Sequence, residues 1–286
     1  MINKIILGTV QLGLSYGINN SSGKPSEKEA FDILDLAYAR GIDWLDSADA
    51  YGDSIEVISR YHKISNSRFK ISNKFKNVKK GELKYIVENS LKRLDIPQFE
   101  VYSFHSFNDY LNNRVILSDL IKLKSKELIK KTGISVYTNA ELDRVIDDVN
   151  IDVIQLPYNI LDNINLRGSL LERAKSQGKE IHIRSVFLQG LFFMEFNRFP
   201  ENLSPLKPYI QKILDFCKTE SLSMQTLALS YALYNKNIDN VLIGVENNTQ
   251  LLKNIESIQN HQKAFDFINN SVFVKETELL NPVNWK

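Results

Sequence analysis

The sequence predicts an α/β protein folded as one (β/α)8 barrel. Three observations carry that expectation. Short apolar runs alternate with amphipathic helical stretches along the chain, eight runs in all, each followed by a helical stretch. Their starts lie about 20–40 residues apart through the seventh, the repeat of a right-handed βα unit closing on itself. Runs such as Val153-Ile154-Gln155-Leu156 do not alternate polar with apolar, as expected of parallel strands covered by helices. The competitor is a doubly wound open sheet. It is disfavoured because no long linker splits the chain and no Gly-x-Gly-x-x-Gly follows the first strand. The 286 residues suit a barrel, which commonly takes about 250 as a single domain.

The first strand is expected at Lys4–Thr9, followed by a loop holding Gly13, Gly17, Gly23 and Pro25. Ser26 and Glu29 have the spacing of a capping box: the serine oxygen accepts from the amide three residues on, and the glutamate reaches back. Phe31, Ile33, Leu34, Ala37 and Tyr38 then form one apolar helix face, and Gly41 stands where a left-handed C-cap belongs. Strands two and three are expected at Ile42–Ala48 and Phe69–Lys74. Leu83, Ile86, Val87, Ser90, Leu91 and Leu94 recur at helical spacing and predict a helix over 80–94. The remaining strands fall at Phe99–His105, Thr132–Val136, Val153–Asn159, Ile181–Val186 and Asn240–Val245, with helices at 140–149 and 166–177 among them. The lysine-rich stretch 122–131 has leucines and isoleucines between its charges and reads as a solvated helix face. Residues 1–286 are read as a single domain, with 187–207 a loop insertion and 262–286 a C-terminal tail.

Composition narrows the function classes. Hydrophobic residues make up 43% and charged residues 24%, which excludes a disordered or fibrous chain. Lys plus Arg is 36 against 34 Asp plus Glu, a net charge of +2, so neither nucleic acid nor an anionic membrane is the expected partner. The one cysteine, Cys217, allows no internal disulfide and no multi-cysteine metal site. His62, His105, His182 and His261 form no His-x-x-x-His or His-Glu-x-x-His pair, so no metal is expected. No apolar window reaches the length of a membrane span and the N-terminal run is too short for a signal peptide, so a cytoplasmic location is expected.

In a barrel, chemistry collects at the C-terminal ends of the strands. Asp46 and Asp49 close strand two, with Tyr51 directly after; Lys74 closes strand three and His105 strand four. Taken singly, each has an ordinary structural explanation: a helix cap, a turn tyrosine, a solvated lysine, a buried histidine. Together, at successive strand ends, they read as a proton-transfer site. A group that hands a proton to a substrate oxygen must be a general acid within hydrogen-bond reach. A free tyrosine, with a pKa of about 10, is a weak acid at neutral pH. A nearby ammonium favours its phenolate and lowers that pKa, so Lys74, held by Asp46, is expected to pull Tyr51 down.

The same residues carry a resemblance. Trp44-Leu45-Asp46-Ser47-Ala48-Asp49-Ala50-Tyr51-Gly52 resembles the aldo-keto reductase signature, with Ser47 in place of the usual Thr. Ser72-Asn73-Lys74, Val101-Tyr102-Ser103-Phe104-His105, Gly133-Ile134-Ser135 and Gln155-Leu156-Pro157-Tyr158-Asn159 resemble later blocks of that family in order and spacing, across roughly residues 4–256. The resemblance implies Asp46, Tyr51, Lys74 and His105 as catalytic residues acting on a small-molecule carbonyl substrate. It implies NAD(H) or NADP(H) across the barrel mouth, contacted by Gly8, Thr9, Ser135, Gln155, Arg184, Ser185, Gln189, Glu246 and Asn254. Ser135 and Gln155 would take the carboxamide, and Ser185 to Gln189 would lie along the pyrophosphate. Two positions depart from the pattern: Val136 stands where many members have Asn, and Arg184 where many have an aromatic that stacks on the nicotinamide.

The segment Arg184 to Leu191 resembles a bacterial branch associated with surface sugars, which implies a sugar-like substrate. Gly244 and Gln250 stand where the family places cations for a 2′-phosphate, Glu246 adds a negative charge, and Lys253 is expected to point outward. NADH is therefore expected to be accepted at least as well as NADPH. The specificity loops are expected at 12–25, 106–112, 187–207 and the tail, with Trp285 either walling the pocket or packing on the barrel. Two other functions fit less well: a nicotinamide-binding regulatory or scaffold protein, which has no need of a proton donor, and a metal-free lyase or isomerase using Tyr51 and Lys74.

Overall fold

The computed structural model describes residues 1–285. Eight parallel strands close into a barrel in sequence order. They are β1 (Ile5–Gly8), β2 (Trp44–Asp46), β3 (Lys70–Phe75), β4 (Phe99–Phe104), β5 (Ile129–Ser135), β6 (Val153–Pro157), β7 (Glu180–Arg184) and β8 (Asn240–Ile243). β1 closes the ring on β8, with Ile5 opposite Val241 and Leu7 opposite Ile243. All eight expected strands are present, several a few residues shorter than the apolar runs. The trimmed residues, such as Ser47, Ala48 and Asn159, lie beyond the strand ends and are as buried as the strands they follow.

Helices separate the strands. Glu27–Ala39 begins at the expected capping box: Ser26 Oγ accepts from the Glu29 amide at 3.4 Å and Glu29 Oε2 from the Ser26 amide at 2.8 Å. Gly41 follows at φ +83. The helix expected over 80–94 begins only at Leu83, because Gly81 adopts φ +88 and ends the preceding turn. The lysine-rich stretch divides in two. Leu117–Ser125 is a helix with Leu117, Leu120 and Leu123 buried, but residues 129–131 belong to β5. There Lys130 pairs with Glu100 at 2.6 Å and Lys131 with Glu180, contacts between strands rather than a solvated helix face.

Between β7 and β8 the chain makes three short 3-10 turns over 188–206 and two helices, Lys207–Thr219 and Met224–Leu233. The segment expected as a tail begins with the helix Gln262–Ser271, whose Phe265 and Ile268 are buried, so it is an outer layer of the barrel. Trp285 donates its indole N–H to Leu279 O at 2.7 Å and packs on the core; it does not line the cavity described below. Among the described residues no helix is long and apolar enough to cross a membrane.

Candidate active site

Side chains two residues apart on a strand share a face. On β2, β3 and β7 this gives two inward layers. The lower holds Trp44, Ser72 and His182; the upper holds Asp46, Lys74 and Arg184. Contacts between strands that are not neighbours fix the direction. Trp44 meets His182 edge-on at 5.4 Å across the barrel. In the upper layer Asp46 Oδ1 takes the Lys74 ammonium, and Asp46 Oδ2 accepts Gln155 Nε2 at 2.9 Å from β6. Lys74 also donates to Ser47 O at 3.3 Å. Asp46, Lys74 and Gln155 are all buried.

Tyr51 sits above this group. Lys74 Nζ lies 5.2 Å from its ring centre, and the His105 ring meets it edge-on at 6.0 Å. The four residues Asp46, Tyr51, Lys74 and His105 are therefore brought together. One electrostatic expectation is corrected. Burial raises the Tyr51 pKa above its usual value, and the opposing pull of Lys74 does not overcome it. The phenol thus keeps its proton, while the ammonium stands ready to favour the phenolate as the proton leaves. Burial also pulls Lys74 down, but Asp46 and Tyr51 outweigh it and hold the amine charged. For His105, burial and then the charges of Lys74, Lys76 and Arg184 push the imidazole down to about 3, so it is neutral at physiological pH.

A cavity of about 330 Å³ opens beside Tyr51 at the C-terminal ends of the strands, a size ordinary for a small-molecule site. Of the expected binding residues, Gly8, Gln155, Arg184, Ser185, Gln189, Glu246 and Asn254 line it. Thr9 does not. It is fully buried, with its hydroxyl on Asp46 O at 3.0 Å and on Ser54 Oγ at 2.9 Å, and so ties β1 to β2. Ser135 is buried opposite Gln155 in the strand register but does not line the cavity. Lys253 lines it although it was expected to point away. Loops 12–25 and 187–207 contribute to the wall; 106–112 and the C-terminal segment do not. Arg184 does not lie free: its guanidinium carbon is 4.1 Å from the Tyr137 ring centre.

Sequence reasoning missed three supports. The first is a close backbone approach. A Cβ at Gly13 would lie 1.8 Å from Tyr51 O, and one at Gly52, where φ is +55, would lie 2.4 Å from Gly13 O. The two glycines let the first loop grip the turn that carries Tyr51. Gly52 directly after Tyr51 was the one local signal; Gly13 lies in the loop after β1, and only folding brings the two together. The second is Asn159. It accepts the Leu161 and Asp162 amides at 2.9 and 3.0 Å and donates to Ser185 O at 3.1 Å. Ser185 has φ +62, and Leu188, Gln189 and Gly190 further along the same loop also have positive φ, a costly conformation for the three that are not glycine. The third is the Gln155–Asp46 bond, which joins a residue expected at the cofactor to one expected in catalysis.

The sequence matches the Aldo/keto reductase family over residues 4–270. Among named relatives, aldo-keto reductase str7 of Strobilurus tenacellus is 27% identical over 70% of this chain and 61% of its own length. L-galactose dehydrogenase of Arabidopsis thaliana is 23% identical over 82% of this chain and 80% of its own. An aldo-keto reductase structure from Bacillus halodurans, in its holo form, superposes with a TM-score of 0.72 at 21% identity, covering 96% of this chain and 94% of that one. At that identity the structural likeness is one of fold.

Proposed function

The chain belongs to the aldo/keto reductase family as an NAD(P)H-dependent oxidoreductase, and from that premise we propose that it reduces an aldehyde or ketone, sugar-like in character, with Tyr51 as the proton donor. The observation that carries this reading is the Tyr51 phenol at the cavity wall, with Lys74 Nζ 5.2 Å from its ring centre and the buried Lys74–Asp46 pair behind it. A regulatory or scaffold role would leave that buried charge pair beside a phenol without a use.

The residues fit a nicotinamide dinucleotide. Gln155 Oε1 is buried without a partner, an atom that would accept from a carboxamide N–H. Gly8, Ser185 and Gln189 line the cavity where the dinucleotide would run, and Glu246 and Asn254 would face its adenosine end. When bound, the cofactor supplies hydride to the carbonyl carbon. Tyr51 then gives its proton to the carbonyl oxygen, Lys74 stabilises the phenolate left behind, and Asp46 keeps Lys74 charged and in place. Neutral His105, with Nδ1 unpartnered, orients the carbonyl. We propose a cytoplasmic location, in keeping with the single cysteine, Cys217.

The test is oxidation of NADH and NADPH against a panel of aldoses, keto-sugars and aromatic aldehydes. Tyr51→Phe should lose about 10²–10⁴-fold in turnover while still binding reduced cofactor. Turnover within threefold of the parent removes Tyr51 from the role. We further propose that NADH serves at least as well as NADPH. Glu246, which accepts Gln250 Nε2 at 3.2 Å, would repel a 2′-phosphate and suit ribose hydroxyls, whereas exposed Lys253 would attract one. A kcat/KM preference for NADPH of tenfold or more would show that Lys253 outweighs Glu246.

A further inference from the structure

Two arginines near the barrel mouth are treated differently by the fold. Arg167 is buried and gives a bidentate pair to Asp162, with both contacts at 2.7 Å. Arg184, at the end of β7, is half-buried on the cavity wall and has no acid partner among the described residues. Its hydrogen bonds are two long ones, to Val136 O at 3.4 Å and Ser185 Oγ at 3.5 Å. A guanidinium has five N–H donors and stays charged. Its face is covered by Tyr137, which holds the plane while leaving edge donors unused.

The surrounding charges point the same way. Lys74 is neutralised by Asp46, and exposed Lys76 has no ion-pair partner among the described residues. Lys74, Lys76 and Arg184 all depress His105, and no carboxylate opposes them there. The acids lining the cavity are Asp46, already committed, and Glu246, beyond β8 and bonded to Gln250. Around Tyr51 and His105 the uncompensated charge is positive.

We propose that the substrate carries an oxyanion, a carboxylate or phosphate group, read by the edge donors of Arg184. This rests on the reading of the site as a carbonyl reductase and names the substrate class within it. An uncharged stacking residue would serve a cofactor ring without the cost of half-burying a cation; a fork of donors matches an oxyanion in shape and charge.

The experiment uses matched carbonyl pairs with NADH or NADPH: succinic semialdehyde against butanal, glucuronate against glucose, and glycolaldehyde phosphate against glycolaldehyde. The first two pairs test carboxylate and the third phosphate. The parent enzyme should favour the anionic member of at least one pair by tenfold or more in kcat/KM, through KM, with the preference shrinking as ionic strength rises. Arg184→Met should collapse that preference roughly tenfold to a hundredfold, and Arg184→Lys should restore part of it. Preference for the neutral member in all three pairs overturns the proposal while leaving the reductase reading intact. So does an anion preference that survives Arg184→Met, including the case in which that variant lowers kcat/KM for both members by the same factor. Failure to oxidise cofactor against any carbonyl overturns both readings.

Discussion

The barrel interior holds two polar layers, and they are finished differently. In the lower one, Trp44 donates its indole N–H to Ser72 Oγ at 2.9 Å, His182 meets Glu180 at 2.8 Å, and Glu180 also takes Lys131. None of these side chains leaves a buried polar atom without a partner. Two residues further along the strands, the upper layer leaves Gln155 Oε1 unpaired, and His105 Nδ1 at the rim is unpaired too. An unmade buried hydrogen bond costs about 1–3 kcal/mol. The fold avoids that cost at the bottom and carries it at the top, where Gln155 lines the cavity. The same strands thus supply a closed structural layer and an open layer with hydrogen-bonding capacity left for a ligand.

The comparison breaks most visibly at Lys74. Removing one partner of a buried ion pair strands the other, at about 3–5 kcal/mol. Lys74→Met should therefore lower stability by that order and abolish turnover together, as read by denaturant unfolding and cofactor oxidation. Adding Asp46→Asn removes the stranded charge. The double variant should recover much of the stability and none of the turnover. Recovery of both would mean that the pair is structural, like those of the lower layer, and that Tyr51 works without it.

A second test separates support from chemistry. Gly13→Ala adds one carbon where the Tyr51 carbonyl already stands. The turn must move, at a cost of about 1–3 kcal/mol, and Tyr51 moves with it. Turnover should fall well beyond the loss of folded protein, with cofactor affinity, measured by fluorescence titration, changing less. Turnover that simply follows the folded fraction would show that the grip of the first loop does not set the position of the phenol.

How much of this could be read from the chain depends on range. Strand order and most helix starts are local properties, carried by apolar runs and by caps such as Ser26 and Glu29, and they were legible. The residues at the strand ends were legible as a group because the barrel sends them to one face. Contacts across the barrel were not. Nothing local ties Gln155 to Asp46, 109 positions apart, or tells that Thr9 turns away from the cavity to bond Ser54. The sign of the Tyr51 shift was missed for the same reason: the neighbouring lysine is visible in the sequence, whereas the burial that outweighs it depends on the whole fold.

In acid stability the two layers should fail in different pH windows. Glu180 is pushed up by burial, but His182 and Lys131 outweigh this and hold its carboxyl at about 2, below its ordinary 4.5. Between those values the unfolded chain binds the proton and the folded one does not, so stability falls with pH there. The contribution is complete above 4.5 and is lost as pH drops through about 2. His105 is held neutral down to about 3 against an ordinary 6.5. The unfolded chain takes that proton first, so this loss begins near 6.5. Buried His62, lowered in the same direction, adds to the same window. Calorimetric Tm measured from pH 8 downward should therefore have two limbs. Glu180→Gln should reduce the slope below about 4.5, with the share from Asp148, whose carboxyl is also lowered, remaining, and leave the upper limb alone. His105→Gln should reduce the slope that starts near 6.5, with the share from His62 remaining. An unchanged slope between 6.5 and 4.5 in the His105 variant would mean that this histidine binds its proton as readily in the fold as outside it. The burial of His105, and with it the positive field of Lys74, Lys76 and Arg184, would then weigh less on the imidazole than their arrangement implies.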